Sequence, residues 1–190
     1  MDFTYPAEAE DFRTEFRAWL DDNLTDELRA LAGGGLGNRS ENLDALRVWN
    51  RTLADAGYAA IAWPVEYGGR GAGLMEQVVF AEEMARAGAP GTVNPIGIPN
   101  IAPSIMAWGT DEQKRTFLPA MLRGDDIWCQ GFSEPDAGSD LASLRMTARL
   151  DGDEFVVNGQ KIWNTLGHVA DWCELLVRTD AEAPKHKGIS

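Results

Sequence analysis

The apolar residues of this chain change their spacing near residue 125, and that change limits the fold more than any other feature. Before it they recur at the intervals of three and four that line one face of a helix. After it they fall in short runs between Gly, Asn and Asp pairs, the pattern of strands joined by tight turns. Helices followed by strands define an α+β chain. We expect an all-α N-terminal domain over residues 1–125 and an antiparallel β-domain over 126–190.

Glycines and prolines divide the helical part. Phe12, Phe16, Trp19 and Leu20 form one stripe of a first helix, with Glu15, Arg17 and Asp21 off it. Gly33, Gly34, Gly35 and Gly37 make a flexible break. A second helix is predicted from about residue 40 to 56, with Leu43, Leu46, Trp49 and Leu53 on one face. Ser40 or Asn42 can cap its start, and Gly57 suits its end. Residues 58–73 form a loop rich in aromatics and glycines. A third helix spans 74–87 and stops at Gly88 and Pro90. Pro95, Pro99 and Pro103 allow only short or kinked helix over 94–108. Thr110 and Gln113 make a capping box for a last helix that ends near Arg123.

Beyond Gly124, strands are predicted over 127–132, 144–150, 154–157, 160–165 and 172–178, as an antiparallel meander. Asp151-Gly152 and Asn158-Gly159 supply its turns. The closing Lys187-Gly188-Ile189-Ser190 resembles the beginning of another strand. A sheet that stopped there would keep an unpaired edge, so the β-domain is expected to be truncated.

Charge and composition exclude several function classes. A net charge of −13 opposes nucleic acid and anionic membrane surfaces, both of which need Lys and Arg, and favours solubility. The start, MDFTYPAEAEDF, lacks the basic flank and apolar run of a signal peptide. No stretch reaches the roughly 18 consecutive apolar residues of a membrane span. Cys129 and Cys173 form neither a disulfide framework nor a metal-type pair, which fits a cytoplasmic location. His168 and His186 have no neighbouring ligand set, so no metal is expected. A strand-borne G-x-G-x-x-G, a P-loop and a nucleophile elbow are all missing.

Two stretches can carry chemistry. Residues 128–140, WCQGFSEPDAGSD, follow a strand and can present backbone N–H groups with the hydroxyls of Ser133 and Ser139. Such donors suit carbonyl or phosphate oxygens. The same residues also suit an ordinary capped turn. Asp136 and Asp140 lack the acidic spacing of a calcium loop. In residues 159–168, GQKIWNTLGH, a strand would put Trp163 and Thr165 on one face. A flat aromatic wall beside a hydroxyl suits a planar heterocycle, and equally a buried tryptophan with a satisfied threonine.

Together these stretches resemble the acyl-CoA dehydrogenase family. The resemblance lies in Ser133-Glu134-Pro135-Asp136-Ala137-Gly138-Ser139-Asp140 followed by Lys161-Ile162-Trp163-Asn164-Thr165. Trp63-Pro64 before Glu66-Tyr67-Gly68-Gly69, and Gly109-Thr110-Asp111-Glu112-Gln113-Lys114, extend it over essentially the whole chain. It implies an FAD between the β-domain and a second helical domain. The backbone at Gln130 and Phe132 and the Ser133 hydroxyl would meet the flavin's pyrimidine edge. Gly138 and Ser139 would approach the pyrophosphate, and Ser139 also the acyl-CoA. Trp163, Asn164 and Thr165 would serve the isoalloxazine, with Thr165 close to N5. Ile96 and Asn100 would lie near the floor of the acyl pocket.

The activity implied is α,β-dehydrogenation of an acyl-CoA thioester, with electrons passed to an electron-transfer flavoprotein, in a homo- or hetero-oligomer. The family takes its base, a glutamate, from a C-terminal helical domain. No match to that domain is found before Ser190, so no catalytic residue is assigned and the 190-residue chain alone is expected to be inactive. The alternatives are a non-catalytic subunit of a hetero-oligomer and an acyl-CoA oxidase. Three positions depart from the common pattern. Ser133 stands where threonine is frequent, and Asp136 where a small residue is frequent. The prolines of 94–100 should bend the helix there and favour a bulky or branched acyl group.

Overall fold

The computed structural model describes residues 4–33 and 41–190. Ser40, Gly34, Gly35 and Gly37, to which the sequence assigns a cap and a break, lie outside the described residues. The chain forms two compact units, Met1–Ile127 and Trp128–Ser190.

The first unit is helical. Helix α1 (Ala7–Asn23) buries Phe12, Phe16 and Leu20 of the expected stripe together with Ala9, while Trp19 is partly buried against the same core. After a short α2 (Asp26–Arg29), α3 (Leu43–Asp55) buries Leu46, Trp49 and Leu53. Asn42 precedes α3 without capping it through its side chain. Helix α4 (Leu74–Ala87) packs on α1, and Gly88 ends it in the left-handed conformation, at φ 65°. Phe16 lies 4.6 Å from the Tyr58 ring and 4.7 Å from that of Phe80, at the centre of this core.

The prolines act on the next segment as their chemistry requires. Residues Gly97–Ile101 form a π-turn, and α5 (Ala102–Trp108) follows with Pro103 in its first turn. Pro103 has no N–H for the carbonyl of Pro99, so the ordinary i to i−4 bond cannot form there. Helix α6 (Asp111–Arg123) opens on the predicted box. The Gln113 amide donates to Thr110 Oγ1 at 3.2 Å, and the Thr110 amide donates to Gln113 Oε1 at 2.8 Å.

Buried polar groups tie these helices together. Asn50 is wholly buried, donates to the Leu122 carbonyl at 2.7 Å and accepts from Thr92 Oγ1 at 2.7 Å. Glu83 is 1% exposed. It accepts from Arg17 at 2.7 Å, Arg86 at 2.6 Å and Arg13 at 3.0 Å. The Arg17 hydrogen bonds, against the opposing effect of burial and with help from Arg86 and Arg13, hold its carboxyl at about 2.

The second unit holds two small sheets instead of one meander. Strands β2 (Thr147–Asp151) and β3 (Glu154–Asn158) form the expected antiparallel hairpin, with Gly152 at φ 65° in its turn. Strands β1 (Trp128–Gly131) and β4 (Trp172–Leu175) pair in parallel, which corrects the antiparallel expectation. They align Cys129 with Cys173 and Gln130 with Glu174. The predicted strand over 144–150 begins only at Thr147, because the Arg145 and Met146 amides donate to the Glu134 carboxylate. That over 172–178 ends at Leu175, after which Val177 exchanges hydrogen bonds with Ser190.

Residues 160–165 are not a strand. Trp163 at φ 60° and Leu166 at φ 64° occupy the left-handed region, which breaks strand geometry. Trp163 and Thr165 therefore do not share a strand face.

Candidate cofactor site

Successive peptide groups of a strand point to opposite edges, and this sets out the site along β1. The Gly131 carbonyl accepts the Leu176 amide on the β4 side. Gln130 and Phe132 therefore turn their peptide groups to the other edge. There, side chains replace a neighbouring strand. Asn164 Nδ2 donates to the Gln130 carbonyl at 2.9 Å, and Lys161 Nζ donates to the Phe132 carbonyl at 3.0 Å. The Ile162 amide donates to the Ser133 carbonyl at 2.9 Å. Residues 161–164 thus lie along 130–133 through both side-chain and backbone bonds.

This arrangement uses the acceptors of the edge and leaves donors over. The amides of Phe132 and Ser133 and the hydroxyls of Ser133 and Thr165 have no acceptor among the described residues. Gln130 itself is anchored sideways, its Nε2 donating to Glu174 on β4 at 2.8 Å. Trp163 is 86% exposed, its indole turned outward by its positive φ.

The loop after β1 closes on itself through paired bonds between Glu134 and Ala137, the Glu134 amide donating at 2.8 Å and the Ala137 amide at 3.1 Å. Gly138 and Ser139 follow, both exposed, and their amides and the Ser139 hydroxyl have no acceptor among the described residues. A Cβ added at Gly138 would meet nothing within 4 Å. Packing within the unit does not demand this glycine, whereas close approach of a ligand to the backbone would. Nearby, Asp140 is paired with Lys185 at 2.6 Å and accepts from Ser143 at 2.5 Å, and these partners lower its pKa.

Two residues that the sequence reading named only as part of a motif underlie the site. Glu134 and Lys161 are paired at 2.9 Å, with side chains 8% and 6% exposed. Burial pushes the Glu134 carboxyl up, but the amides of Arg145 and Met146 and the Lys161 ammonium outweigh it and lower its pKa. Their places in the motif, Glu134 beside Ser133 and Lys161 two residues before Trp163, were the available clue.

In the first unit, an apolar cavity of about 600 Å³ is lined by residues 59–64 together with Phe80, Ile98, Pro99, Pro103 and Met106. The proline-bent segment supplies one wall, and the Trp63 indole is fixed by donating to the Ile98 carbonyl at 3.1 Å. Ile96 is half-buried and Asn100 exposed, and neither lines this cavity. Among the described residues, no group of three or more His, Cys, Asp or Glu side chains could hold a metal ion. No described helix is long and apolar enough to cross a membrane.

Comparison with known proteins identifies the family of the chain. The model of the acyl-CoA dehydrogenase N-terminal domain matches residues 6–125, and that of the acyl-CoA dehydrogenase middle domain matches residues 129–190. The chain belongs to the acyl-CoA dehydrogenase family. It is 48% identical over 184 residues to acyl-CoA dehydrogenase IpdE1 of Mycobacterium tuberculosis, a match covering 96% of this chain and 48% of that protein. The structure of the Tcur3481-Tcur3483 steroid ACAD is similar at TM-score 0.82 and 42% identity, covering all of this chain and 48% of that one. The ChsE4-ChsE5 complex from Mycobacterium tuberculosis is similar at TM-score 0.76 and 44% identity, again covering all of this chain and 47% of that one. The chain spans about half the length of the curated relatives it matches.

Proposed function

We propose that this chain contributes a flavin-binding edge and an acyl-binding wall to an FAD-dependent acyl-CoA dehydrogenase, working in a hetero-oligomer on a bulky acyl-CoA thioester. The observation that carries this reading is the row of unused donors beside β1. A flavin presents carbonyl oxygens and ring nitrogens on one polar edge and a flat hydrophobic face. The Phe132 and Ser133 amides and the Ser133 hydroxyl suit that edge, the Thr165 hydroxyl suits N5, and the exposed Trp163 suits the face. The free amides of Gly138 and Ser139 suit a pyrophosphate. FAD supplies a two-electron acceptor for the hydrogen that leaves the β-carbon with its bonding pair, while a base takes the α-proton. The share of this chain is to hold the cofactor, orient it and exclude water. We assign the base to none of its residues.

A bulky substrate is supported by the 600 Å³ cavity with its proline-built wall, and by the similarity to a steroid ACAD. Relatives studied as two-component complexes support a hetero-oligomer. The reaction releases an enoyl thioester and two electrons, which we assign to an electron-transfer flavoprotein.

The test is an anaerobic titration of the protein, expressed from its own gene with its partner subunit. A polycyclic side-chain CoA thioester should bleach the visible flavin band, and a short straight-chain acyl-CoA should do so at least tenfold less efficiently. The reading fails if the purified protein holds no flavin, and the substrate class fails if short straight chains are preferred. Rapid oxygen consumption with acyl-CoA would assign an oxidase in place of a dehydrogenase.

A further inference from the structure

Resting on the flavin site proposed above, we infer that Lys161 is a positioning residue: held by Glu134, it polarises the Phe132–Ser133 peptide and so raises the reduction potential of the bound flavin. Its ammonium lies 3.0 Å from the Phe132 carbonyl and 2.9 Å from Glu134 Oε1, in a setting where both side chains are nine-tenths buried. Glu134 is satisfied on its remaining sides, its two oxygens accepting from the Arg145 amide at 2.7 Å and the Met146 amide at 2.9 Å. The carboxylate is therefore fixed by the fold, and it fixes the ammonium.

A buried ion pair is a poor device for stability alone, because apolar side chains of the same volume often serve as well. What an ammonium does here that an apolar group cannot is act on a peptide dipole. The Phe132 carbonyl shares its peptide with the Ser133 N–H, and that N–H has no acceptor among the described residues. A cation at the oxygen end draws charge from the nitrogen end and makes the N–H a stronger donor. Any acceptor placed on it is stabilised more as its negative charge grows. Reduced flavin carries more negative charge than oxidised flavin, so the reduced form gains more.

The test compares wild type, Lys161→Met, and the double variant Lys161→Met with Glu134→Gln. The double variant keeps the volume of both side chains and leaves no unpaired buried charge. Folding is followed by circular dichroism, flavin retention by absorbance after gel filtration, and potential by equilibration with a reference dye. We expect the folded double variant to hold flavin more weakly or at a reduced-to-oxidised ratio about tenfold lower at a fixed potential, equivalent to about 30 mV. Where Lys161→Met also folds, it should show the same direction of change. Wild-type retention and potential in the folded double variant overturn the role of Lys161 while leaving the flavin site intact. A double variant that does not fold shows the pair to be structural, which also overturns it. A wild-type protein without flavin removes the proposed site and this inference with it.

Discussion

A single side chain carries the clearest pH dependence of the molecule. Glu83 is ringed by Arg13, Arg17 and Arg86, and its carboxyl sits at about 2, below the ordinary 4.5. A depressed carboxylate stabilises the fold above its unfolded value, and that contribution drains away as pH falls from 4.5 towards 2. Glu83→Gln should therefore cost about 3 kcal/mol at pH 7, and the gap from wild type should close in acid. Urea unfolding at pH 7, 4 and 3 measures this, and a gap that stays constant across the series contradicts it. Residues of this kind are hard to read in a sequence. Phe12 and Phe16 declare their burial by spacing and polarity, whereas Glu83 and Asn50 are of types normally found at the surface. Only their partners, brought from distant positions, make burial tolerable.

Elements were legible where local chemistry decides them. The Thr110 box, the left-handed Gly88 and the proline break before Ala102 depend on residues a few positions apart, and the structure contains all three. The segment 160–165 shows where local reading fails. Its polarity suits a strand, but Lys161 and Asn164 bond the β1 edge through their side chains, and Trp163 takes a φ of 60° that no local signal marks. Half of the site's motif was thus recognised as a string of residues while its conformation was not. Helix-to-helix ties follow the same logic. Asn50 on α3 serves Leu122 at the end of α6, and it also accepts from Thr92 Oγ1 and, at 3.2 Å, from the Val93 amide. Asn50→Leu fills the space but strands these buried groups, so a loss of about 3 kcal/mol is expected. Thr110→Ala should cost about 1 kcal/mol. Denaturant midpoints of the two variants should keep this order, and an Asn50→Leu protein as stable as wild type would refute the account.

For the whole molecule, the hetero-oligomer proposal has a direct consequence. Expressed from its own gene with its partner subunit, the chain should elute from gel filtration with a second, unlike chain of the same family, as light scattering and intact mass will show; a lone homogeneous species rejects it. The hairpin bears on this, since Leu150 and Phe155 stand 61% and 60% exposed. The parallel pairing of β1 with β4 reaches further, into the time course of folding. In register it joins Trp128 to Trp172, across a stretch that already contains the β2–β3 hairpin. A hairpin with a tight turn closes within about 1–10 μs, whereas a distant parallel contact must first meet the entropy of its long loop. On a ribosome adding residues at roughly 5–20 per second, β1 therefore waits seconds for its partner strand. The cofactor edge forms after the helical core that precedes it in the chain, and a nascent protein can gather that core well before it has anything to offer a ligand.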